Sequence, residues 1–208
     1  MAQNPLSHKE IRIILETADS IIARGGRTQL AKILKGSKEK KLLELGLDKN
    51  PGYGFYKDEK IDDITKKINW MIAHDFLDLQ KDWKLLLIVF TDKGWLVQSD
   101  QYADMLVHEW NEWIKQGKKN PDMSYLKDRN REMILLMLEK IKESGNRGFI
   151  PYLQLWKEID YKKVRAAIRE TIKVIEGKEP FDESPLKKRD EKIKKALEGY
   201  SWYDIIIM

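Results

Sequence analysis

The chain has 208 residues, of which 42% are hydrophobic and 35% are charged, and its net charge is +5. This composition supplies enough apolar side chains for one large or two small globular domains, and the absence of cysteine excludes disulfides and thiolate metal sites. No apolar run approaches the roughly 20 residues of a membrane span, and the N-terminus lacks a signal-peptide pattern, so we expect a cytoplasmic protein.

The first predicted elements are three helices. Ser7 and Glu10 form a capping-box pair, and apolar residues then recur at helical spacing up to the glycines at 25–26. Thr28 is predicted to cap a second helix and Ser37 a third, each closed by a glycine. These signals favour short helices separated by glycine turns.

A longer helix and a hairpin are predicted to follow. The helix is expected to start at Asp58, and residues 76–79 and 85–91 read as two strands joined by residues 80–84. An order of helices followed by a two-stranded wing is typical of a winged helix. In this fold the helices pack on the hairpin and leave a basic face exposed that can bind a duplex. The first part of the chain is therefore predicted to be a winged helix.

Positive charge is concentrated between Arg24 and Lys41. This stretch holds seven basic residues and one acidic residue, a net charge of +6, whereas the whole chain carries +5. Phosphates attract Lys and Arg at long range, and N–H groups at helix starts bind anions. We interpret this stretch, called the basic cluster below, as a nucleic-acid surface. The alternative is an ordinary solvated helix face, which charge runs usually are.

Four short motifs follow one another along the predicted winged helix. They are Leu34-Lys35-Gly36-Ser37, Tyr53-Gly54, Phe76-Leu77 and Thr91-Asp92-Lys93-Gly94. In this order and spacing the region 7–97 resembles the RQC (RecQ C-terminal) winged-helix domain of RecQ-type helicases. Tyr56 stands where that family usually has a second glycine, so its loop is expected to present a ring. The wing is also expected to be shorter than in the helicases.

The resemblance implies a function without catalysis. The chain has no phosphate-binding motor loop and, lacking cysteine, no four-cysteine zinc module, so it is similar to the bacterial RQC-minor proteins, which are stand-alone relatives. Such a protein would dock on duplex DNA or a duplex/single-strand junction, with RNA left open, and would need no cofactor.

The residues that the resemblance assigns to nucleic-acid binding lie in three places. Six of these residues are expected to hold the phosphate backbone together with the N–H groups behind Gly36 and Ser37. They are Arg27, Thr28, Lys35, Gly36, Ser37 and Lys38. Lys57, Lys66 and Lys67 are expected to line the long helix, and Lys84 to lie at the wing tip. For Tyr53, Tyr56 and Trp83 two interpretations stay open, because each ring either stacks on a base or packs within the domain.

Helical signals dominate the rest of the chain. Trp110 and Trp113 belong to an aromatic stripe that is expected to be core or domain interface, and 117–121 is the best linker candidate. Residues 126–142 form an amphipathic pattern, and the run after them resembles a HEAT-type helical repeat. No metal site is predicted, because the helix around His108 lacks the second histidine of a zinc protease.

These observations predict a mostly α protein, with a winged helix of helices plus a β-wing hairpin followed by an all-α helical domain. The expected domains are an RQC-like winged helix at 1–100, a connecting helix and linker at 101–120, and a HEAT-like helical domain at 121–208. The main alternative function is a protein-interaction adaptor for a helicase or repair complex that uses the helical C-terminal surface. Neither function involves a membrane.

Overall fold

The structure of the chain is a computed structural model that describes residues 5–200. The described backbone forms two compact units, one containing residues 5–98 together with residues 193–200, the other containing residues 99–192. The first unit contains α1 (His8–Asp19), α2 (Arg27–Lys35), α3 (Lys40–Glu44), α4 (Ile61–Ala73), β1 (Leu77–Asp82) and β2 (Leu85–Phe90). The division falls within α5 (Asp92–Lys115). The order of helices and hairpin confirms the predicted winged helix.

The start of each helix depends on its cap. The capping box of Ser7 and Glu10 opens α1 as predicted. Thr28 does not cap α2 but lies inside it, because the helix begins at Arg27 behind an extended Gly26. A Cβ on Gly26 would lie 2.8 Å from the carbonyl oxygen of Leu86, so the bare glycine lets the wing approach α2.

Two other predicted helix starts are also displaced. Ser37 lies before α3 rather than at its N-cap, and its Oγ accepts a hydrogen bond from the N–H of Glu39 at 3.3 Å. The chain needs these residues to leave α2 through a left-handed Gly36 before another helix can begin. The long helix α4 begins at Ile61 and not at Asp58.

The wing is a two-stranded antiparallel hairpin. Asp82 pairs with Leu85, so residues 80–82 continue the ladder and the turn contains only Trp83 and Lys84. The predicted joining segment 80–84 was too long. Its residues carry no glycine or proline that would interrupt pairing.

The hydrophobic core of the first unit extends to the end of the chain's described part. Ile193 and Leu197 are buried with the apolar faces of α1, α2 and α4. The His8 imidazole Nε2 lies 2.9 Å from the carbonyl oxygen of Leu197. Residues 193–200 are therefore an integral part of the winged-helix unit.

The second unit is wholly helical. It contains the rest of α5, then α6 (Arg131–Ser144), α7 (Ile150–Ile159), α8 (Lys162–Ile175) and most of α9 (Ser184–Ala196), with short 3₁₀ turns at Ser124–Leu126 and Arg147–Phe149. Trp110 and Trp156 are fully buried and meet edge to face, with ring centroids 5.7 Å apart. The aromatic stripe is thus core, as expected. The helix predicted from 126 begins at Arg131, and its HEAT-like character stays a prediction.

The described helices differ in length and in apolar content. Within residues 5–200, none combines the length and the hydropathy that crossing a bilayer requires.

Candidate nucleic-acid interface

Two of the four sequence motifs meet where α2 ends. The N–H groups of Gly36 and Ser37 donate to the carbonyl oxygens of Ile33 and Lys32, each at 2.9 Å, which closes the helix. The loop carrying Gly54 returns to the same point, because its N–H donates to the carbonyl oxygen of Ile33 at 3.0 Å. A phosphate at this turn would be bound by side chains, since these amides already have partners.

Tyr53 braces this turn. Its hydroxyl donates to the carbonyl oxygen of Ser37 at 3.1 Å, and its ring lies against Gly36. The half-buried ring packs within the domain and does not stand out as a platform for a base. Tyr53 therefore fixes the position of Ser37 in this turn.

The last motif also has an architectural role. The Thr91 hydroxyl accepts a hydrogen bond from the N–H of Gly94 at 3.0 Å. Thr91 lies just before α5, and Gly94 lies in its first turn. A Cβ on Gly94 would lie 1.8 Å from the carbonyl oxygen of Phe76, so this position cannot carry a side chain without moving the backbone. The motif fastens α5 to the start of the hairpin.

The predicted phosphate-binding side chains form two groups, one at each end of α2. At its start, Arg27 Nη1 donates to Asn69 Oδ1 at 2.8 Å, and Lys66 lies one turn before Asn69 on α4. Thr28 is exposed beside Arg27. Lys66 is itself paired with Asp63 at 2.7 Å, an exposed pair that solvent screens.

The second group surrounds the end of α2. The Lys35 ammonium donates to the carbonyl oxygen of Lys57, which brings these two predicted residues together, and Lys38 is exposed in the turn beyond. Because α2 has nine residues, the two groups lie about 12 Å apart along the helix. Between them, Lys32 forms an ion pair with Glu39.

Lys67 does not join either group. Its ammonium lies 2.5 Å from one carboxylate oxygen of Glu10 and 3.4 Å from Glu59, and its side chain is only 19% exposed. Partial burial alone would raise the pKa of Glu10, but the hydrogen bonds from Lys67 and from the Ser7 backbone outweigh it and hold that pKa below its ordinary value. Lys67 is thus part of an internal charge network.

Tyr56 belongs to the same network. Its hydroxyl donates to Glu10 Oε1 at 3.0 Å, and burial, with Glu10 beside it, raises the pKa of this hydroxyl. The residue is buried. The expectation that this loop presents a ring in place of the missing glycine is wrong, because the ring turns inward to meet the carboxylate.

The wing tip is exposed and carries a large aromatic ring. Trp83 is 89% exposed, so it does not cover the hairpin's own core, and its backbone φ of 52° is left-handed. Lys84 completes the turn and is also exposed. Leu85 and Leu86 are 62% and 50% exposed, a feature that the sequence did not predict.

Backbone pairing joins the basic cluster to the wing. The Ala23 N–H donates to the carbonyl oxygen of Ile88, and the Ile88 N–H donates to that of Gly25, both at 2.9 Å. Arg24 therefore lies at the base of the wing. Trp83 is five residues from Ile88 along the strand, which places it about 16 Å beyond this anchor.

Histidine, aspartate and glutamate side chains, which bind metal ions in proteins, do not cluster in the described residues. Across the described residues, no group of three or more His, Asp or Glu side chains could hold a metal ion.

Comparison with known proteins agrees with this geometry. The model of the RQC domain family matches residues 8–116, just over half of the chain. The ATP-dependent DNA helicase RecQ of Bacillus subtilis (strain 168) is 33% identical over 69 residues, which cover 33% of this chain and 12% of the helicase. The chain thus matches only a small part of that protein's length. No solved structure matches significantly.

RQC domains of RecQ helicases are nucleic-acid-binding, helicase-associated domains, and the family is non-catalytic. The matched residues include the basic cluster, the wing and the four motifs whose packing is described above. The chain belongs to the RQC domain family.

Proposed function

We propose that this protein is a non-catalytic nucleic-acid-binding protein. It docks on duplex DNA or on a duplex/single-strand junction, through side-chain contacts to phosphates and through its β-wing. The observation that carries the proposal is the pairing of Ala23 and Gly25 with Ile88, because it joins a cluster of +6 charge to a wing with an exposed aromatic tip.

The spacing of the cations suits a phosphate backbone. Duplex DNA carries one phosphate per about 3.4 Å of axis on each strand, so the 12 Å between the two ends of α2 corresponds to roughly three or four phosphates. Arg27 at one end and Lys35 with Lys38 at the other would contact separate phosphates. Few of these side chains are arranged to read base edges, so recognition would depend on shape.

The conformation of Trp83 supports a role at the duplex end. A left-handed φ favours glycine or asparagine, and a bulky residue there costs about 1–2 kcal/mol. A large apolar ring that is both strained and 89% exposed contributes little to folding. Stacking on a terminal base would offset that cost, since it contributes roughly 1–3 kcal/mol.

Salt dependence tests this proposal. If about five phosphates are neutralised, the logarithm of the association constant for a duplex should fall with the logarithm of salt concentration at a slope of roughly −4 to −5. A slope near zero contradicts the proposal, and so does strong discrimination between shuffled duplex sequences.

The second candidate is an adaptor that binds a helicase or repair protein. It is favoured by a groove of about 650 Å³ in the second unit, whose apolar lining includes Ile114, Pro151 and Leu155. The aromatic stripe of α5 cannot contribute, because Trp110 and Trp113 are buried. An apolar protein interface would give a shallow salt slope, so the same titration separates the two candidates.

A further inference from the structure

We propose that the second unit contains its own site for single-stranded nucleic acid. The site is a cavity of about 230 Å³ where the starts of α6 and α8 meet. One base would stack on Tyr161, and the adjoining phosphate would contact Lys127 and Arg131. This inference rests on the proposed function, because it gives a junction-binding protein a separate binding site for the unpaired strand.

The cavity combines an apolar floor with a cationic rim. Leu126, Ile134 and Val164 form the apolar part, while Lys127 and Arg131 are exposed at its edge. These residues come from the 3₁₀ turn at Ser124–Leu126, from the segment between that turn and α6, and from the first turns of α6 and α8. Apolar contact for a ring and charge for a phosphate are thus side by side.

Tyr161 supplies the stacking surface. Its ring is 55% exposed at the mouth of the cavity, immediately before α8, and the Lys127 ammonium lies 5.4 Å from the ring centroid. This ammonium is within the range of a cation–π contact. The exposed remainder of the ring can receive a base, and every base has a π-face that stacks on an aromatic side chain.

The charge of the surroundings favours an anion. Residues 127–131 carry a net charge of +2, and Lys162 and Lys163 follow Tyr161 directly. The buried Asp160 carboxylate already accepts hydrogen bonds from Trp156 Nε1 and from the Tyr161 N–H, both at 2.6 Å. Hydrogen bonds inside the fold therefore compensate its charge, and Asp128 is the acidic residue that remains at the rim of the cavity.

The size of the cavity favours a nucleotide over a peptide. Sites for drug-sized ligands measure about 300–1,000 Å³, so a cavity of about 230 Å³ accommodates one ring system and not a helix or an extended segment. An acidic peptide would match the cations but would leave the Tyr161 ring without a stacking partner. The nucleotide uses both features.

The test measures fluorescence anisotropy of the full chain with two labelled probes, a single-stranded oligothymidine and a blunt duplex. Tyr161→Ala should raise the Kd for the single strand by about fivefold or more, while Tyr161→Phe, which keeps the ring, should leave it unchanged. Arg131→Ala should raise it and lower the salt slope by about one. The Kd for the blunt duplex should not change in any of these variants.

Arg169→Ala is the matched control, because it removes the same charge from an exposed position of the second unit that does not line the cavity. Melting temperatures of all variants should equal that of the unchanged protein, and if Tyr161→Ala unfolds, Arg131→Ala compared with Arg169→Ala still decides the question. An unchanged single-strand Kd in Tyr161→Ala and Arg131→Ala overturns the site. Competition by oligoglutamate as strong as by unlabelled oligothymidine overturns it in favour of an acidic peptide.

The two proposals fail in different ways. If the unchanged protein binds the single strand but does not bind the duplex, the winged-helix proposal is refuted and this site is not. Duplex binding without single-strand binding would refute this site alone.

Discussion

Gly36 and Gly54 are in backbone contact: a Cβ on Gly36 would lie 3.0 Å from the Cα of Gly54. Both residues have left-handed backbones, with φ of 74° and 73°. The contact lets the loop after residue 52 return to the end of α2, where Tyr53 reaches the carbonyl oxygen of Ser37. Two motifs whose contacting glycines are 18 residues apart in the chain are therefore one packing feature, and it holds the basic turn in place.

The first prediction concerns this contact. Gly36→Ala should lower the free energy of unfolding by about 2–4 kcal/mol, because it adds a close backbone contact to the cost of a left-handed alanine. Gly46→Ala is the matched control, since Gly46 is also left-handed, with φ of 66°, but a Cβ there meets nothing within 4 Å. It should cost only about 1 kcal/mol. Urea denaturation measures both values, and equal losses would contradict the packing role.

The second prediction concerns the pH dependence of stability. The pKa of Glu10 is lowered in the folded protein from its ordinary value of 4.5. A carboxylate of this kind contributes stability that is fully present above the unfolded-state pKa and is lost as pH falls through the folded-state pKa. The free energy of unfolding should therefore decrease below about pH 4.5, and Glu10→Gln should show a smaller decrease.

Glu44→Gln controls for the general effect of removing a carboxylate, because Glu44 is exposed and its ion-pair distance to Lys40 is 3.7 Å. Denaturation at a series of pH values gives the slopes. A Glu10→Gln protein whose acid sensitivity equals that of Glu44→Gln would show that the internal network contributes no pH dependence.

The third prediction separates two lysines that the sequence placed in one group. Lys67→Met should lower the free energy of unfolding by about 1–2 kcal/mol, because Glu10 loses a hydrogen-bonded partner and the Tyr56 ring loses the cation above it. For a chain of this length, each kcal/mol of lost stability lowers the melting temperature by about 2–4 °C. Lys57→Met should leave the melting temperature unchanged and weaken duplex binding, since its side chain is exposed. The reverse pattern would return Lys67 to the binding surface.

The motifs that carry the family resemblance were visible in the sequence, and so was the basic cluster. Their mechanical roles were not, because Gly36, Gly54 and Gly94 are defined by backbone approaches between residues distant in the chain. Lys67 could not be distinguished from Lys66 by its own neighbours, since its partner Glu10 is 57 residues away.

The exposed leucines of the wing were hidden for a different reason. The run from Leu85 to Phe90 is uniformly apolar, so it contains no alternation that would show which residues lie beyond the core. The packing of Ile193 and Leu197 into the first unit likewise depends on tertiary contacts between the two ends of the chain.

The last prediction decides what Trp83 does. Replacing it with glycine should leave the melting temperature unchanged or raise it, because glycine adopts the left-handed φ of 52° without strain and the lost ring is 89% exposed. The same change should weaken binding to blunt or forked duplex ends by about fivefold or more, since a stacked ring contributes roughly 1–3 kcal/mol. Binding to closed circular duplex, which has no exposed base face, should be unaffected, and Trp83→Tyr should keep end binding because it keeps a ring. Anisotropy with ended and circular ligands and a thermal melt measure all three quantities. Equal loss on both ligands together with a lower melting temperature would make the ring a structural element of the hairpin and remove it from the interface.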